Sequence, residues 1–126
     1  MDDRLSRPLS DDERSFLEGV AAKLSETEAA RLRRDLQMAQ VAPNGDFLLV
    51  DLPGYERPDY RGHHNLPFEG KMSAADGGPM SLLVNMDQND RLLALEFIRW
   101  ESPSSVAPDW STLTIVPEPP MGASKW

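Results

Sequence analysis

The feature that most restricts the fold is a pair of apolar stretches separated by a short polar turn, residues 79–101, PMSLLVNMDQNDRLLALEFIRWE. Each stretch has the length of a strand, and a connection as short as Gln88-Asn89 joins neighbouring antiparallel strands. A loop centred there would pair Val84 with Leu93. One face of the predicted hairpin is then apolar and must be covered. The residues expected on this covered face are Leu82, Val84, Leu93, Leu95 and Phe97.

The opposite face of the predicted hairpin mixes acids with apolar side chains. Successive residues of a strand point to opposite faces of a sheet. Asp87, Asp90 and Glu96 would therefore lie away from the covered side, and Ile98 and Trp100 would continue the same face. We expect this second face either to be available to a partner or to be covered by another part of the chain.

Two helices are predicted ahead of the hairpin, each by its own start signal. Ser10 with Glu13, and Ser25 with Glu28, match the capping box, in which serine and glutamate side chains satisfy backbone N–H groups at a helix start. Apolar residues recur behind each box at helical spacing. The predicted helices lie near residues 10–24 and 25–40.

From Asp46 onward the apolar pattern becomes strand-like. Helices followed by antiparallel strands indicate an α+β domain. We expect two N-terminal helices packed on one face of an antiparallel sheet of about five strands, with a meander over residues 68–100. The chain has an ordinary length for a single domain, 1–126. Within it, residues 1–9 and 117–126 are expected to be flexible or peripheral.

The charge balance favours a basic partner. Asp and Glu total 21 against 13 Lys and Arg, which gives a formal net charge of −8. Such a field repels nucleic acid and anionic lipid and attracts basic proteins. No apolar run approaches the roughly 18 residues of a membrane span, and the acidic N-terminus does not resemble a signal peptide. We therefore expect a cytoplasmic protein that binds neither nucleic acid nor membrane.

The residue pattern offers no recognisable catalytic or metal site. The chain has no cysteine, which excludes disulfides, a thiolate nucleophile and cysteine-bound zinc. His63 and His64 are adjacent, so their side chains project differently and seldom chelate one metal. The stretch DQND at 87–90 lacks the glycine and the final acid of a calcium loop. No nucleophile motif, phosphate-binding loop or dinucleotide fingerprint occurs. We expect no catalytic residue, no metal and no cofactor.

The remaining signal is a set of acids close in sequence to tryptophans. Aromatic anchors beside carboxylates suit a surface that binds Lys and Arg of another protein. The predicted partner-binding residues are Asp87, Asp90, Glu96, Trp100, Glu101, Asp109 and Trp110. The competing interpretation is that the C-terminal prolines and Trp126 fold over this face and bury the tryptophans.

A second candidate surface is the long loop 53–67, because long loops often carry function. Its candidate residues are Tyr55, Glu56, Asp59 and Tyr60. The same loop leaves open another class of function, a small-molecule-binding or enzymatic domain with a pocket beneath it.

Two stretches resemble a group of small bacterial proteins. RPLSDDERSFLEGV (7–20) opens a helical pair in the same way. GGPMSLLVNMDQNDRLLALEFIRWE (77–101) follows that group's order of turn, apolar strand, acidic turn and Leu-x-x-Leu-Glu strand. The resemblance covers most of residues 7–116. Some of these proteins are similar to the immunity proteins of contact-dependent growth inhibition and related polymorphic toxin systems.

This resemblance implies a class of function and transfers no individual residue. A cytoplasmic immunity protein binds the C-terminal toxin domain of a cognate effector, commonly a nuclease, and blocks its active site. We therefore expect a monomeric antitoxin, without enzymatic activity, that occludes the cleft of a basic toxin domain. A subunit of a larger complex is the remaining alternative.

Overall fold

The structure of the protein, a computed structural model, describes residues 6–103 and 105–117. In chain order its elements are β1 (Arg7–Pro8), α1 (Asp11–Ala21), α2 (Glu26–Met38), β2 (Gln40–Asn44), β3 (Phe47–Asp51), β4 (His64–Asn65), β5 (Phe68–Ala74), β6 (Pro79–Met86), β7 (Leu92–Arg99) and β8 (Pro108–Pro117). The expectations for residues 1–5 and 118–126, including the competing role of Trp126, lie outside the described residues.

These elements form an α+β fold with two helices and an antiparallel sheet, as predicted. The strand order is β1-β2-β3-β7-β6-β5-β8, and β4 also pairs with β6. The predicted strand number is wrong, because the described part of the chain forms a sheet of eight strands rather than about five. Two of the additional strands are β2, at the predicted end of the second helix, and β1, in the segment 1–9, which is expected to be flexible or peripheral. β2 begins at Gln40, and Arg7–Pro8 pairs with it as an edge strand.

Both helices begin where the capping boxes predict. The Ser10 hydroxyl accepts a hydrogen bond from the backbone N–H of Glu13 (3.1 Å), and the Glu13 carboxylate accepts one from the N–H of Ser10 (2.8 Å). Ser25 and Glu28 repeat this arrangement. Arg7 of β1 donates to both oxygens of the Glu13 carboxylate at 2.8 Å, which ties the edge strand to α1. Among the residues that the structure describes, no helix is long and apolar enough to cross a membrane.

The β6–β7 hairpin turn differs in length from the predicted one. The N–H of Asp87 donates to the carbonyl of Arg91 (2.9 Å), and the N–H of Asp90 donates to the carbonyl of Asp87 (3.0 Å). Three residues therefore form the loop. Asp90 has a φ of 61°, the left-handed conformation that closes a three-residue hairpin loop.

A β-bulge follows this turn and places Leu92, rather than the predicted Leu93, on the core side. Met86 pairs with Leu92 and Asn85 pairs with Ala94, so Leu93 is the extra residue. Leu92 is fully buried, whereas Leu93 is partly exposed, and the prediction that Leu93 faces the core is wrong. Relative to the predicted register, the turn shifts the pairing of β7 with β6 by one residue and the bulge shifts it by one more. Because side chains alternate with a period of two, a total shift of two residues leaves the other predicted faces unchanged. The remaining expected core residues are the buried Leu82, Val84 and Leu95 and the partly buried Phe97.

Buried apolar side chains of both helices and of strands β2, β3, β5, β6 and β7 form one cluster. Gly70 of β5 shows how closely the elements approach. A Cβ atom added there would lie 3.0 Å from Phe16 of α1 and 2.8 Å from Leu113 of β8. The absence of a side chain at Gly70 therefore permits this packing.

The other face of the sheet carries exposed apolar side chains. In β3, Phe47 and Leu49 are 36% and 41% exposed, while the alternating Leu48 and Val50 are buried. Glu96 pairs with Phe47 across β3 and β7 and shares its face. Because residues two apart point the same way, Trp100 extends this face from β7. We call it the open face, defined by Phe47, Leu49, Glu96 and Trp100.

Candidate protein-binding surface

Two of the predicted binding residues, Asp87 and Tyr55, belong to a polar network at the hairpin turn. Asp87 is only 3% exposed, so the prediction that it lies on an accessible surface is wrong. Its carboxylate accepts hydrogen bonds from the Tyr55 hydroxyl (2.7 Å) and from Arg57 Nη1 (2.9 Å). The backbone N–H groups of Asn89 and Arg91 donate to it at 2.8 and 3.0 Å. These four donors satisfy the carboxylate within the fold.

The network continues through two arginines to helix α2. Arg57 Nη2 donates to two backbone carbonyls of β3 and β7, at 2.9 and 2.6 Å. The Arg91 guanidinium lies 4.3 Å from the centroid of the Tyr55 ring and donates to Asp35 at 2.9 Å. Asp35 is 1% exposed and also accepts a backbone hydrogen bond from β7 (3.0 Å). We call the five residues Asp35, Tyr55, Arg57, Asp87 and Arg91 the turn network.

The pKa of Asp87 results from two opposing effects. Burial raises the pKa of this carboxyl. Hydrogen bonds from Tyr55, Arg57 and the nearby backbone N–H groups lower the same pKa, and their combined effect is larger than that of burial. Its pKa therefore lies below the ordinary value, and the group is charged at neutral pH. Burial, followed by the hydrogen bond to Asp87, raises the pKa of the Tyr55 hydroxyl. The lowered pKa of Asp87 and the raised pKa of Tyr55 both favour a protonated phenol that donates to an ionised carboxylate.

The two predicted tryptophans do not form one cluster. Trp100 is 60% exposed, and its Nε1 donates to the hydroxyl of Ser81 (3.3 Å) on the open face. Trp110 packs edge-on against Phe97, with ring centroids 6.2 Å apart, and contacts the buried cluster. The predicted site that contains both tryptophans is therefore divided between the two faces.

Three other predicted acids are dispersed over the surface. Asp90 is exposed at the hairpin turn, 3.0 Å from Nε2 of His64. Glu101 is exposed beyond the end of β7. Asp109, at the start of β8, accepts a hydrogen bond from a neighbouring serine hydroxyl at 2.6 Å. These positions do not converge on a shared centre.

The loop 53–67 contributes differently along its length. Tyr55 is held in the turn network, whereas Glu56, Asp59 and Tyr60 are exposed. The backbone carbonyl of Asp59 accepts a hydrogen bond from Gln88 Nε2 (2.7 Å), which holds the loop against the hairpin turn. Tyr60 is 69% exposed, so its ring is accessible.

The open face carries an apolar groove of about 310 Å³ between this loop and strands β3 and β7. Its lining residues are Phe47, Leu49, Tyr60, His63, Asn85, Leu93 and Ala94. Asn85 and Ala94 are buried and form its floor. The Tyr60 hydroxyl lies 3.0 Å from Nδ1 of His63 at the loop side. Glu96 lies two residues beyond Ala94 on β7, and Asn85 Nδ2 approaches its carboxylate at 3.4 Å.

Most of this groove is missing from the sequence-based candidates, which include only Tyr60. Leu93 reaches the groove through the bulge. For Phe47 and Leu49 a signal was present, because DFLLVDL is apolar at successive positions and not only at alternate ones. A strand with that pattern has two apolar faces, and one of them stays exposed when only the other is covered.

Fold and surface together define a small α+β domain with one buried sheet face and an apolar, partly acidic opposite face. Within residues 6–103 and 105–117, no group of three or more histidine, aspartate or glutamate side chains is placed to hold a metal ion. Comparisons with protein-family models, with curated proteins and with solved structures found no match for the chain. The geometry of the open face is therefore the basis for a proposed function.

Proposed function

We propose that the protein is an immunity protein that binds and neutralises a cognate toxin domain through the open face. The observation that carries this proposal is the group of exposed apolar side chains Phe47, Leu49 and Trp100 beside Glu96. Large apolar side chains gathered on one face are typical of protein interaction sites. In this proposal the helices cover the core side of the sheet, which leaves the open face for the partner.

The charges of the open face favour a basic partner. Glu96 lies among the apolar side chains. In β3, the exposed Asp51 shares the face of Phe47 and Leu49, because every second residue points the same way. The whole chain carries a formal charge of −8. A nuclease domain is basic where it binds nucleic acid, so electrostatic attraction would bring this surface to its cleft.

Co-expression with the toxin domain encoded next to this gene is expected to protect cells from it. The purified proteins should form an equimolar complex. Because opposite charges steer the encounter, the association rate should approach about 10⁸–10⁹ M⁻¹s⁻¹ at low salt and fall as salt rises. Stopped-flow fluorescence of the tryptophans measures this rate.

An inactive toxin variant provides the control for expression and toxicity. Death of co-expressing cells at normal toxin levels would contradict the proposed function. An association rate that does not change with salt would contradict the role assigned to charge.

Trp100→Ala and Phe47→Ala are each expected to cost at least about 2 kcal/mol of binding, about 30-fold in Kd, if they are central anchors. The loss should appear mainly as faster dissociation. Calorimetry of the complex measures the affinity. Gln37→Ala, at an exposed position of α2, is the matched control and should bind as the wild type does.

A different result would move the interface to the loop. Wild-type affinity for both open-face variants, together with lost affinity for Glu56→Lys or Asp59→Lys, would show that the loop is the toxin-binding surface. Trp110→Ala should lower stability and leave the affinity of the folded protein unchanged, because Trp110 packs against Phe97.

The groove also favours a second candidate function, small-molecule binding. Its volume of about 310 Å³ lies at the lower end of the roughly 300–1,000 Å³ typical of ligand sites. Its lining is mostly apolar, with the polar groups of Asn85, Tyr60 and His63 at defined positions. Saturable binding of a small apolar ligand that does not compete with the toxin domain would favour this function.

A further inference from the structure

We infer that the groove is the subsite for an arginine side chain of the partner protein, an inference that rests on the proposed function for the identity of that partner. The aliphatic stem would lie against Leu49 and Leu93, and the guanidinium would reach Glu96. This assigns one kind of side chain to one place on the open face.

The shape and lining of the groove suit the stem of a long side chain. Arg and Lys bury their methylene groups along apolar surfaces while the charged end remains with polar groups. Phe47, Leu49 and Leu93 offer such a surface, and the buried Ala94 leaves room above the sheet. An apolar groove of this kind would accept a leucine equally well, so the selectivity must come from its polar end.

Glu96 supplies that polar end. Glu96 is partly exposed, and within residues 6–103 and 105–117 the hydrogen bond to its carboxylate is a long one of 3.4 Å from Asn85 Nδ2. Asn85 Nδ2 is engaged more closely by Asn65 Oδ1 at 2.7 Å. The Glu96 carboxylate thus retains capacity to accept hydrogen bonds from a cation, as an ionised carboxylate has about four acceptor positions.

The loop side of the groove distinguishes arginine from lysine. Tyr60 is 69% exposed, and its hydroxyl lies 3.0 Å from Nδ1 of His63. A planar guanidinium can stack on an aromatic ring and donate two parallel hydrogen bonds to a carboxylate, which an ammonium cannot do. The apolar wall, the exposed tyrosine and the carboxylate are thus each suited to one part of an arginine side chain.

The inference is tested without the toxin, by NMR titration with N-acetyl-arginine amide as the probe. Saturable shifts are expected at the amides of Leu49, Leu93 and Glu96, with a Kd in the millimolar range. N-acetyl-norleucine amide, which has a similar stem and no cation, should bind more weakly. N-acetyl-lysine amide should fall between them, because it has the charge but not the planar group.

Two variants and one control make the titration specific. Glu96→Gln should weaken the binding of the arginine probe about threefold to fivefold, as expected for a partly exposed ion pair. Leu49→Ser should weaken the arginine and norleucine probes alike. Glu26→Gln removes the same charge from an exposed position of α2 and should leave both affinities unchanged.

Several outcomes would overturn the inference. These are the absence of saturable shifts at the groove, tighter binding of the norleucine probe, or an unchanged affinity in Glu96→Gln. Shifts spread over the acidic surface and equally affected by Glu26→Gln would mean a nonspecific charge effect and would also overturn it. Protection from the toxin despite a negative titration would refute the subsite and leave the proposed function standing. A positive titration without protection from the toxin would support the subsite and refute the proposed function.

Discussion

Asp87→Ala should lower the free energy of unfolding by about 3 kcal/mol. The substitution removes the acceptor of four hydrogen bonds and leaves Arg57, which is mostly buried, without its carboxylate. Breaking a buried ion pair on one side costs about 3–5 kcal/mol, and the partial exposure of Arg57 places the expected loss at the lower limit. Urea denaturation followed by circular dichroism measures the change.

Asp90→Asn is the matched control within the same turn. Asp90 is exposed, its pairing with His64 is open to solvent, and asparagine tolerates the left-handed conformation at this position. Its stability should stay within about 0.5 kcal/mol of the wild type. Similar losses for both variants would mean that the turn, and not the Asp87 network, determines stability.

The lowered pKa of Asp87 also determines how stability depends on pH. An unfolded aspartate has a pKa of about 3.9, and the folded value lies below it. The stabilisation is therefore complete above the unfolded pKa and is lost as the pH falls through the folded pKa. Glu13 acts in the same direction: burial opposes ionisation, but Arg7 and Ser10 lower the Glu13 pKa overall. Melts below about pH 4 should show this loss, and it should be smaller in Asp87→Asn.

Leu92→Ala should destabilise the protein by about 2–5 kcal/mol, whereas Leu93→Ala should cost less than about 1 kcal/mol. Leu92 has no exposed surface and its truncation leaves a cavity in the core. Leu93 lines the open groove, where solvent can fill the space. Leu95→Ala, at another fully buried position, should match Leu92→Ala. The two adjacent leucines are the best pair for testing the bulge by urea denaturation.

The reverse order of losses would show that β7 runs without the bulge. In that case Leu93 would face the core, as regular alternation predicts. Equal losses at both positions would contradict the assignment of Leu93 to an exposed groove.

The local parts of the fold could be predicted because their signals lie within a few residues. Ser10 with Glu13 and Ser25 with Glu28 determine where the helices begin, and these pairs need no tertiary context. The β6–β7 hairpin follows from two apolar strands around a short polar turn. The length of that turn and the bulge at Leu93 depend on how β7 meets β3 and α2, and alternation alone does not contain this information.

The candidate site was harder to predict because burial decides which acids are accessible. Asp87 and Glu96 are both acids of the hairpin. Tyr55 and Arg57, from a loop distant in sequence, bind the carboxylate of Asp87 and bury it. The division between Trp100 and Trp110 depends in the same way on β8 pairing with β5. Such long-range pairings are not evident in the residues near each tryptophan.

The bulge at Leu93 separates two requirements on one strand. Leu92 and Leu95 pack in the core, while Leu93 lines the groove and is not paired with a residue of β6. Deleting Leu93 would restore regular alternation and leave every other pair of the hairpin in register. The groove on the open face can therefore change by a single-residue insertion or deletion while the interior of the protein remains the same.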